Sequence, residues 1–123
     1  MNGKHLVLDT NVVLYLLSGS DIKEKLKTKT LFISVITELE LLSFPLIKEK
    51  EEAGISLFLT KVNIVDLLPD IKTKSILLRR KYRLSLPDAI ICATAWHFKI
   101  DFVTNDKKLF KINEINSIEL KSL

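Results

Sequence analysis

Apolar and polar residues alternate along the chain in blocks that predict strands and helices in turn. The clearest block is a mostly apolar run that stops at Asp9 and resumes, after two small polar residues, as a longer apolar segment. This order predicts a buried strand over 5–9 and a helix over 12–17. The small polar side chains of Thr10 or Asn11 are expected to cap that helix.

The same alternation continues to the end of the chain. Runs rich in β-branched and aromatic residues predict four further strands, at 31–35, 63–67, 102–104 and 118–120. The stretches between them predict helices, at 22–26, 37–50, 51–60, 71–84 and 87–99, with a short turn or helix over 106–110. Strands separated by helices indicate an α/β fold, a three-layer arrangement with a mainly parallel sheet between helices. No linker divides the chain, so residues 1–123 are expected to form a single domain.

Specific residues define several of the predicted helix ends. Asp21 and Asp70 are expected to cap the helices that follow them, and Thr37 with Glu40 matches the capping box T-x-x-E. Pro45 should bend or split the helix that contains it. One face of that helix is expected to carry Leu39, Leu42 and Leu46.

Composition narrows the class of protein. The chain is 47% hydrophobic and 28% charged, which excludes disordered and fibrous proteins. A formal charge of +4 permits a polyanionic partner without requiring one. Cys92 is the single cysteine, which excludes an internal disulfide and favours a reducing cytoplasmic compartment. No apolar run approaches the ~20 residues that span a bilayer, so no membrane association is expected.

Acidic residues recur where parallel strands are expected to end. Asp9 ends the first strand, Glu40 lies in the first helical turn after the second, and Asp106 follows the fourth. The carboxyl ends of parallel strands share one edge of the sheet, where α/β proteins build their sites. Asp88 opens a later helix and reaches this edge only if the preceding connection brings it there. Asp101, at the other end of the fourth strand, is expected at the opposite edge.

Carboxylates gathered in this way need protons or a cation, because each like-charged pair costs on the order of 1–4 kcal/mol at 4 Å. Oxygen ligands without neighbouring His or Cys favour Mg²⁺ or Mn²⁺. Such an ion binds phosphate oxygens and activates water, so phosphodiester hydrolysis is the chemistry predicted. Each acid also has a purely structural alternative as a turn residue, a capping-box member or a partner of a helix dipole.

Basic residues cluster in two places. Residues 72 to 83 contain no acid and six basic residues, namely Lys72, Lys74, Arg79, Arg80, Lys81 and Arg83. Three lysines follow Asp106, namely Lys107, Lys108 and Lys111. Such charges neutralise phosphates, and the alternative for each cluster is a solvated surface. Contact with the phosphates of a polyanionic partner is expected at Lys107, Lys108, Arg79 and Arg80.

Four sequence blocks together resemble the PIN-domain nucleases, and within them the VapC-type toxins of toxin–antitoxin pairs. They are LVLDTNVVLYLL, ISVITELELLSF, LSLPDAIICATAWHFKIDFVTND and KKLF. The most specific feature is LPDAIICATA with VTND about 18 residues after its Asp. The resemblance implies a sheet with strand order 3-2-1-4-5 and a metal-dependent endoribonuclease that uses Mg²⁺ or Mn²⁺. It also implies a small antitoxin partner and a homodimer.

The family's site residues transfer to this chain at matching positions. The family acids fall on Asp9, Glu40, Asp88 and Asp106, with Glu38 as the alternative to Glu40. The resemblance implies that Asp9, Asp88 and Asp106 bind the metal and that Glu40 completes or orients its ligand shell. Asn11 and Thr104 match the family's supporting polar residues, whereas Asn105 stands where many relatives carry a basic residue. Part of an antitoxin groove is expected on the helix face from Leu41 to Ile47.

Two other functions compete with this prediction. A phosphatase of the haloacid-dehalogenase kind would use Asp9 as its nucleophile, but it requires a second acid where this chain has Asn11. A catalytically inert PIN-like module would only bind RNA or a partner. The presence of all four acids disfavours that second alternative.

Overall fold

The structure, a computed structural model, describes residues 4–19, 23–43 and 48–123. Its strands are β1 (His5–Leu8), β2 (Thr30–Ser34), β3 (Asn63–Val65), β4 (Asp101–Val103) and β5 (Ser117–Ile118). Its helices are α1 (Thr10–Leu17), α2 (Lys23–Leu26), α3 (Val35–Leu42), α4 (Glu49–Leu59), α5 (Pro69–Tyr82) and α6 (Leu86–Phe98), with 3-10 helices at Lys107–Lys111 and Leu120–Ser122. None of the described helices is long and apolar enough to cross a membrane.

The five strands form one parallel sheet in the order β3-β2-β1-β4-β5, which confirms the expected fold class and strand order. Leu8 at the end of β1 lies opposite Val103 at the end of β4. The carboxyl ends of β1, β2 and β4 are therefore neighbours. Asp101 lies opposite Leu6 at the other end of these strands, as expected.

A hydrophobic core fills each face of the sheet. Leu6 and Leu8 pack on the side of α1, whereas Val7 packs on the side of α5 and α6. This alternation explains why β1 is an uninterrupted apolar run, since a central parallel strand is buried on both faces. Cys92 is a buried free thiol in the α6 core, where burial raises its pKa, consistent with an inert residue.

Five helices begin one or two residues earlier than expected, namely α1, α3, α4, α5 and α6. For α1 and α3 the reason is an N-cap residue at the end of the preceding strand. Asp9, rather than Thr10 or Asn11, is the N-cap of α1. Ser34 caps α3, and its hydroxyl accepts a hydrogen bond of 3.0 Å from the Ile36 amide. Thr37 thus lies inside α3, and the predicted capping box is wrong.

The predicted helix over 37–50 is also wrong in extent, because α3 ends at Leu42 and α4 begins at Glu49. Pro45 and Leu46 lie outside the described residues. The apolar face predicted for this helix is wrong as well. Leu41 is fully buried in the core, whereas Leu39 and Leu42 are half-exposed.

Asp70 does not cap α5, because Leu68 holds the N-cap position and Pro69 begins the helix. The Asp70 carboxylate instead pairs with Lys74 at 2.8 Å and with His97 at 2.6 Å, which ties α5 to α6. The predicted cap at Asp21 lies outside the described residues.

Candidate active site

Four carboxylates open on one cavity of about 300 Å³ at the carboxyl edge of the sheet. Each comes from a different element. Asp9 is the N-cap of α1, Glu40 lies in α3, Asp88 lies in the first turn of α6, and Asp106 caps the first 3-10 helix. The structure therefore brings together the four acids predicted from the sequence, and Glu40 rather than Glu38 lines the cavity.

Asp9 is the most constrained of the four. The Thr10 amide donates to Oδ1 at 2.9 Å, and the Thr104 hydroxyl donates to Oδ2 at 2.7 Å. The Thr104 hydroxyl in turn accepts a 3.0 Å bond from the Asp106 amide. Burial raises the pKa of Asp9, and the nearby Asp88 and Asp106 carboxylates raise it further. Asp9 is thus a rigid, buried carboxylate whose negative charge is disfavoured in the cavity.

Glu40 is held by two threonines. The Thr10 hydroxyl donates to Glu40 Oε1 at 2.6 Å and lies 2.9 Å from the Thr37 hydroxyl. A hydroxyl carries one proton, so Thr10 must accept from Thr37 while it donates to Glu40. These hydrogen bonds hold the Glu40 side chain at the cavity, so it does not act as the capping-box glutamate that the sequence predicts.

This role of Thr10 and Thr37 is not visible in the sequence, which predicts both residues only as helix caps. The one available signal was position. Thr10 directly follows Asp9. Thr37 precedes Glu40 by three residues, so these two side chains lie on the same face of α3.

Lys108 joins the remaining two acids. Its ammonium nitrogen lies 3.5 Å from Asp88 Oδ2 and 3.6 Å from Asp106 Oδ2. The negative charge of Asp106, and to a smaller extent that of Asp88, raises the pKa of Lys108. Its side chain is still 60% exposed, so it can leave this position at little cost.

The other predicted residues lie at or away from the cavity. Asn11 lines its exposed side. Asn105 accepts a 3.1 Å bond from the Leu120 amide and so fastens the chain end. Arg79 and Arg80 lie on α5 and line a different cavity. Lys107 is exposed and directly follows Asp106 in the chain.

Comparison with known families identifies the fold. A family model described as PIN domain matches residues 6–115. The chain belongs to the PIN-domain family. This confirms the resemblance inferred from the four sequence blocks.

Solved structures similar to this PIN domain include a chain of a toxin–antitoxin complex and chains of VapBC complexes. A chain of a toxin–antitoxin complex from Klebsiella pneumoniae is 31% identical, with 96% of this chain and 99% of that chain covered and a TM-score of 0.79. Two further chains show similarity of fold alone. One is from VapBC2 of Rickettsia felis bound to a DNA fragment from their promoter, at 22% identity, 94% and 98% coverage and TM-score 0.81. The other is from DNA-bound VapBC of Salmonella typhimurium, at 20% identity, 94% and 98% coverage and TM-score 0.85. No curated protein matched the sequence.

The chemistry of the cavity suits a hard divalent cation. Its possible ligands are carboxylate, hydroxyl and amide oxygens, and no histidine or cysteine is among the described residues that line it. Within the described ranges, no three ligating side chains already converge closely enough to hold a metal ion. The Lys108 ammonium stands between Asp88 and Asp106. The donor set therefore fits Mg²⁺ or Mn²⁺, provided that Lys108 withdraws.

Proposed function

We propose that this PIN domain is an Mg²⁺- or Mn²⁺-dependent endoribonuclease and the toxin of a toxin–antitoxin pair. Membership of the family supports a hydrolase that acts on nucleic acid. The observation that carries the finer proposal is the convergence of four carboxylates from four elements on one cavity. A site built only for stability would not gather like charges around a buried acid, because their repulsion destabilises the fold.

Three of the acids would hold the cation, namely Asp9, Asp88 and Asp106. Asp9 is already oriented by Thr10 and Thr104, so one of its oxygens keeps a fixed position. Glu40, held by the Thr10 hydroxyl, would complete or orient the ligand shell. When bound, a divalent cation polarises a phosphoryl oxygen and makes water a stronger nucleophile.

Basic and polar groups beside the acids would position the RNA. Lys108, once displaced from its two carboxylates, is close enough to the cavity to contact phosphates on the substrate. The exposed Lys107 precedes it in the same 3-10 helix. Asn11 supplies an amide on the exposed side of the cavity. These groups would retain the polyanion against the repulsion of the acidic site.

Cleavage of RNA with matched variants tests the proposal. Total RNA incubated with Mn²⁺ should be cut internally by the wild type and left intact in EDTA. Asp9→Asn should abolish the cleavage, whereas Asp66→Asn, an exposed acid that follows β3 and does not line the cavity, should not change it. Full activity of Asp9→Asn, or no cleavage by the wild type with Mn²⁺, would overturn the proposed function.

The partners are a separate part of the proposal. Toxin–antitoxin neighbours support a small antitoxin as partner. The groove face proposed from Leu41 to Ile47 needs correction, because Leu41 is fully buried and residues 44–47 lie outside the described part of the chain.

The reading frame next to this gene should encode a small DNA-binding protein that co-purifies with this chain, and a frame without one would contradict the toxin role. A cytoplasmic location and a homodimer remain predictions, the latter testable by sedimentation.

A further inference from the structure

A second cavity, of about 840 Å³, lies between α5 and α6 and away from the four acids. Its floor is apolar, with Leu84 and Ile90 buried and Ile76 and Leu86 half-exposed. Its rim is basic and consists of Lys72, Arg79, Arg80 and Arg83. We call this cavity the basic groove.

The ion pairs of α5 divide its basic residues into two sets. Lys74 pairs with Asp70 at 2.8 Å, and Lys81 pairs with Glu114 at 3.0 Å. Neither of these lysines lines the basic groove. The four cations that do line it form no ion pair with any described residue, and no acid of the described part of the chain lines the groove. The unneutralised charge of this helix is therefore concentrated where a ligand can reach it, which indicates an anionic occupant.

The basic groove and the acidic cavity share the first turns of α6. Leu86 and Ile90 line the groove, whereas Asp88 and Ile91 line the acidic cavity. The two sites are thus separated by the width of one helix, about 10–12 Å with side chains. A chain bound at the acids reaches the groove by crossing the start of α6.

We propose that the basic groove binds the RNA substrate on one side of the phosphodiester that is cut, an inference that rests on the proposed nuclease function. From Lys72 to Arg83 the cations extend about 16 Å along α5, a length that serves several phosphates of a single strand. The apolar floor accepts the sugars and base faces. A second copy of the chain fits less well, because a two-fold interface centred on the groove would bring the four cations of one copy close to those of the other.

The test uses two triple variants that remove the same charge. Lys72→Gln, Arg79→Gln and Arg80→Gln change three exposed positions of α5, where glutamine keeps a high helix propensity. The control changes Lys25, Lys50 and Lys61 to glutamine, three exposed residues of α2, α4 and the turn after α4. Binding to a single-stranded RNA of about 12 nucleotides is measured in EDTA over a range of salt concentrations, with thermal melts to verify folding.

Neutralising three phosphate contacts should lower the slope of log affinity against log salt by about 2. Binding at low salt should weaken at least about tenfold, and the control should remain within about twofold of the wild type. With Mn²⁺ present, the groove variant should raise KM for the long RNA while its cleavage of a dinucleotide stays unchanged.

Wild-type affinity and salt slope in the groove variant would overturn the inference. If that variant also had a changed oligomeric state or lost partner binding, the groove would be assigned to a protein. Either result leaves the nuclease proposal intact if the wild type still cuts RNA with Mn²⁺. Failure of the wild type to cut any RNA would instead refute the nuclease function.

Discussion

Asp9 shows how a single residue can serve a site at the expense of the fold. Its carboxylate is buried beside two other acids, which raises its pKa above the ordinary 3.8. The donors Thr10 and Thr104 offset part of this cost but not all of it. A residue kept in such a position is typical of sites in which binding a cation supplies the missing stabilisation.

Asp9→Asn should therefore stabilise the metal-free protein at neutral pH. The raised pKa in the fold means that the contribution of Asp9 to stability is fully present below pH 3.8 and is lost as the pH rises through the folded-state value. Asparagine carries no charge and is an equally good N-cap. Thermal melts should show a higher Tm for the variant at pH 7 and a gain that vanishes towards pH 3. A lower Tm at pH 7 would contradict this assignment.

Thr10→Val tests the hydroxyl chain that holds Glu40. Valine keeps the shape and the backbone bond to Asp9 but removes the 2.6 Å hydrogen bond to Glu40. Loss of such a supporting contact typically weakens metal binding about 10-fold or more, so the Mn²⁺ Kd should rise by that factor. The matched control is Thr94→Val, a buried threonine whose hydroxyl bonds only to the Ile90 carbonyl of its own helix. Equal Kd values for the two variants would contradict a role for Thr10.

At the scale of elements, the central strands β1 and β4 were predictable because burial on both sheet faces leaves a short run of apolar residues. Helix starts were less predictable from the sequence, because the N-cap is whichever side chain accepts a hydrogen bond from a free amide of the first turn. Ser34 and Asp9 do so from the strand side, which no apolar pattern records. The inward face of α3 was also beyond the pattern. Several leucines offer alternative apolar stripes, and only packing in the core selects Leu41.

Ser34→Ala should lower the free energy of unfolding by about 1 kcal/mol, the usual loss when an N-cap side chain is removed. The hydroxyl is buried and satisfies the Ile36 amide at the start of α3, so its loss leaves that donor without its partner. Urea denaturation gives the difference directly. Ser56→Ala, at an exposed position in α4, should be neutral or slightly stabilising. A loss as large in that control would refute the cap assignment.

At the scale of the molecule, parallel topology predicted the common edge for Asp9, Glu40 and Asp106, and it could not fix Asp88. That residue depends on the connection from α5 to α6. There Arg83 adopts left-handed backbone angles (φ 56°) and Ser85 caps the new helix, so α6 starts at the carboxyl edge. The same turn sets the basic groove beside the acidic cavity. Neither feature leaves a periodic signal in the sequence.

The claim that the four acids form a divalent-cation site is tested most directly by calorimetric titration with Mn²⁺. The wild type and Asp66→Asn should bind Mn²⁺ with the same affinity, and Asp9→Asn and Asp106→Asn should each lose most or all of the binding. Binding of Mn²⁺ to the wild type should break the ion pairs of Lys108 with Asp88 and Asp106. Lys108→Met has no such ion pairs to break, so it should bind Mn²⁺ more tightly. No heat of binding at millimolar Mn²⁺ in the wild type would contradict the claim and would favour an inert PIN-like module.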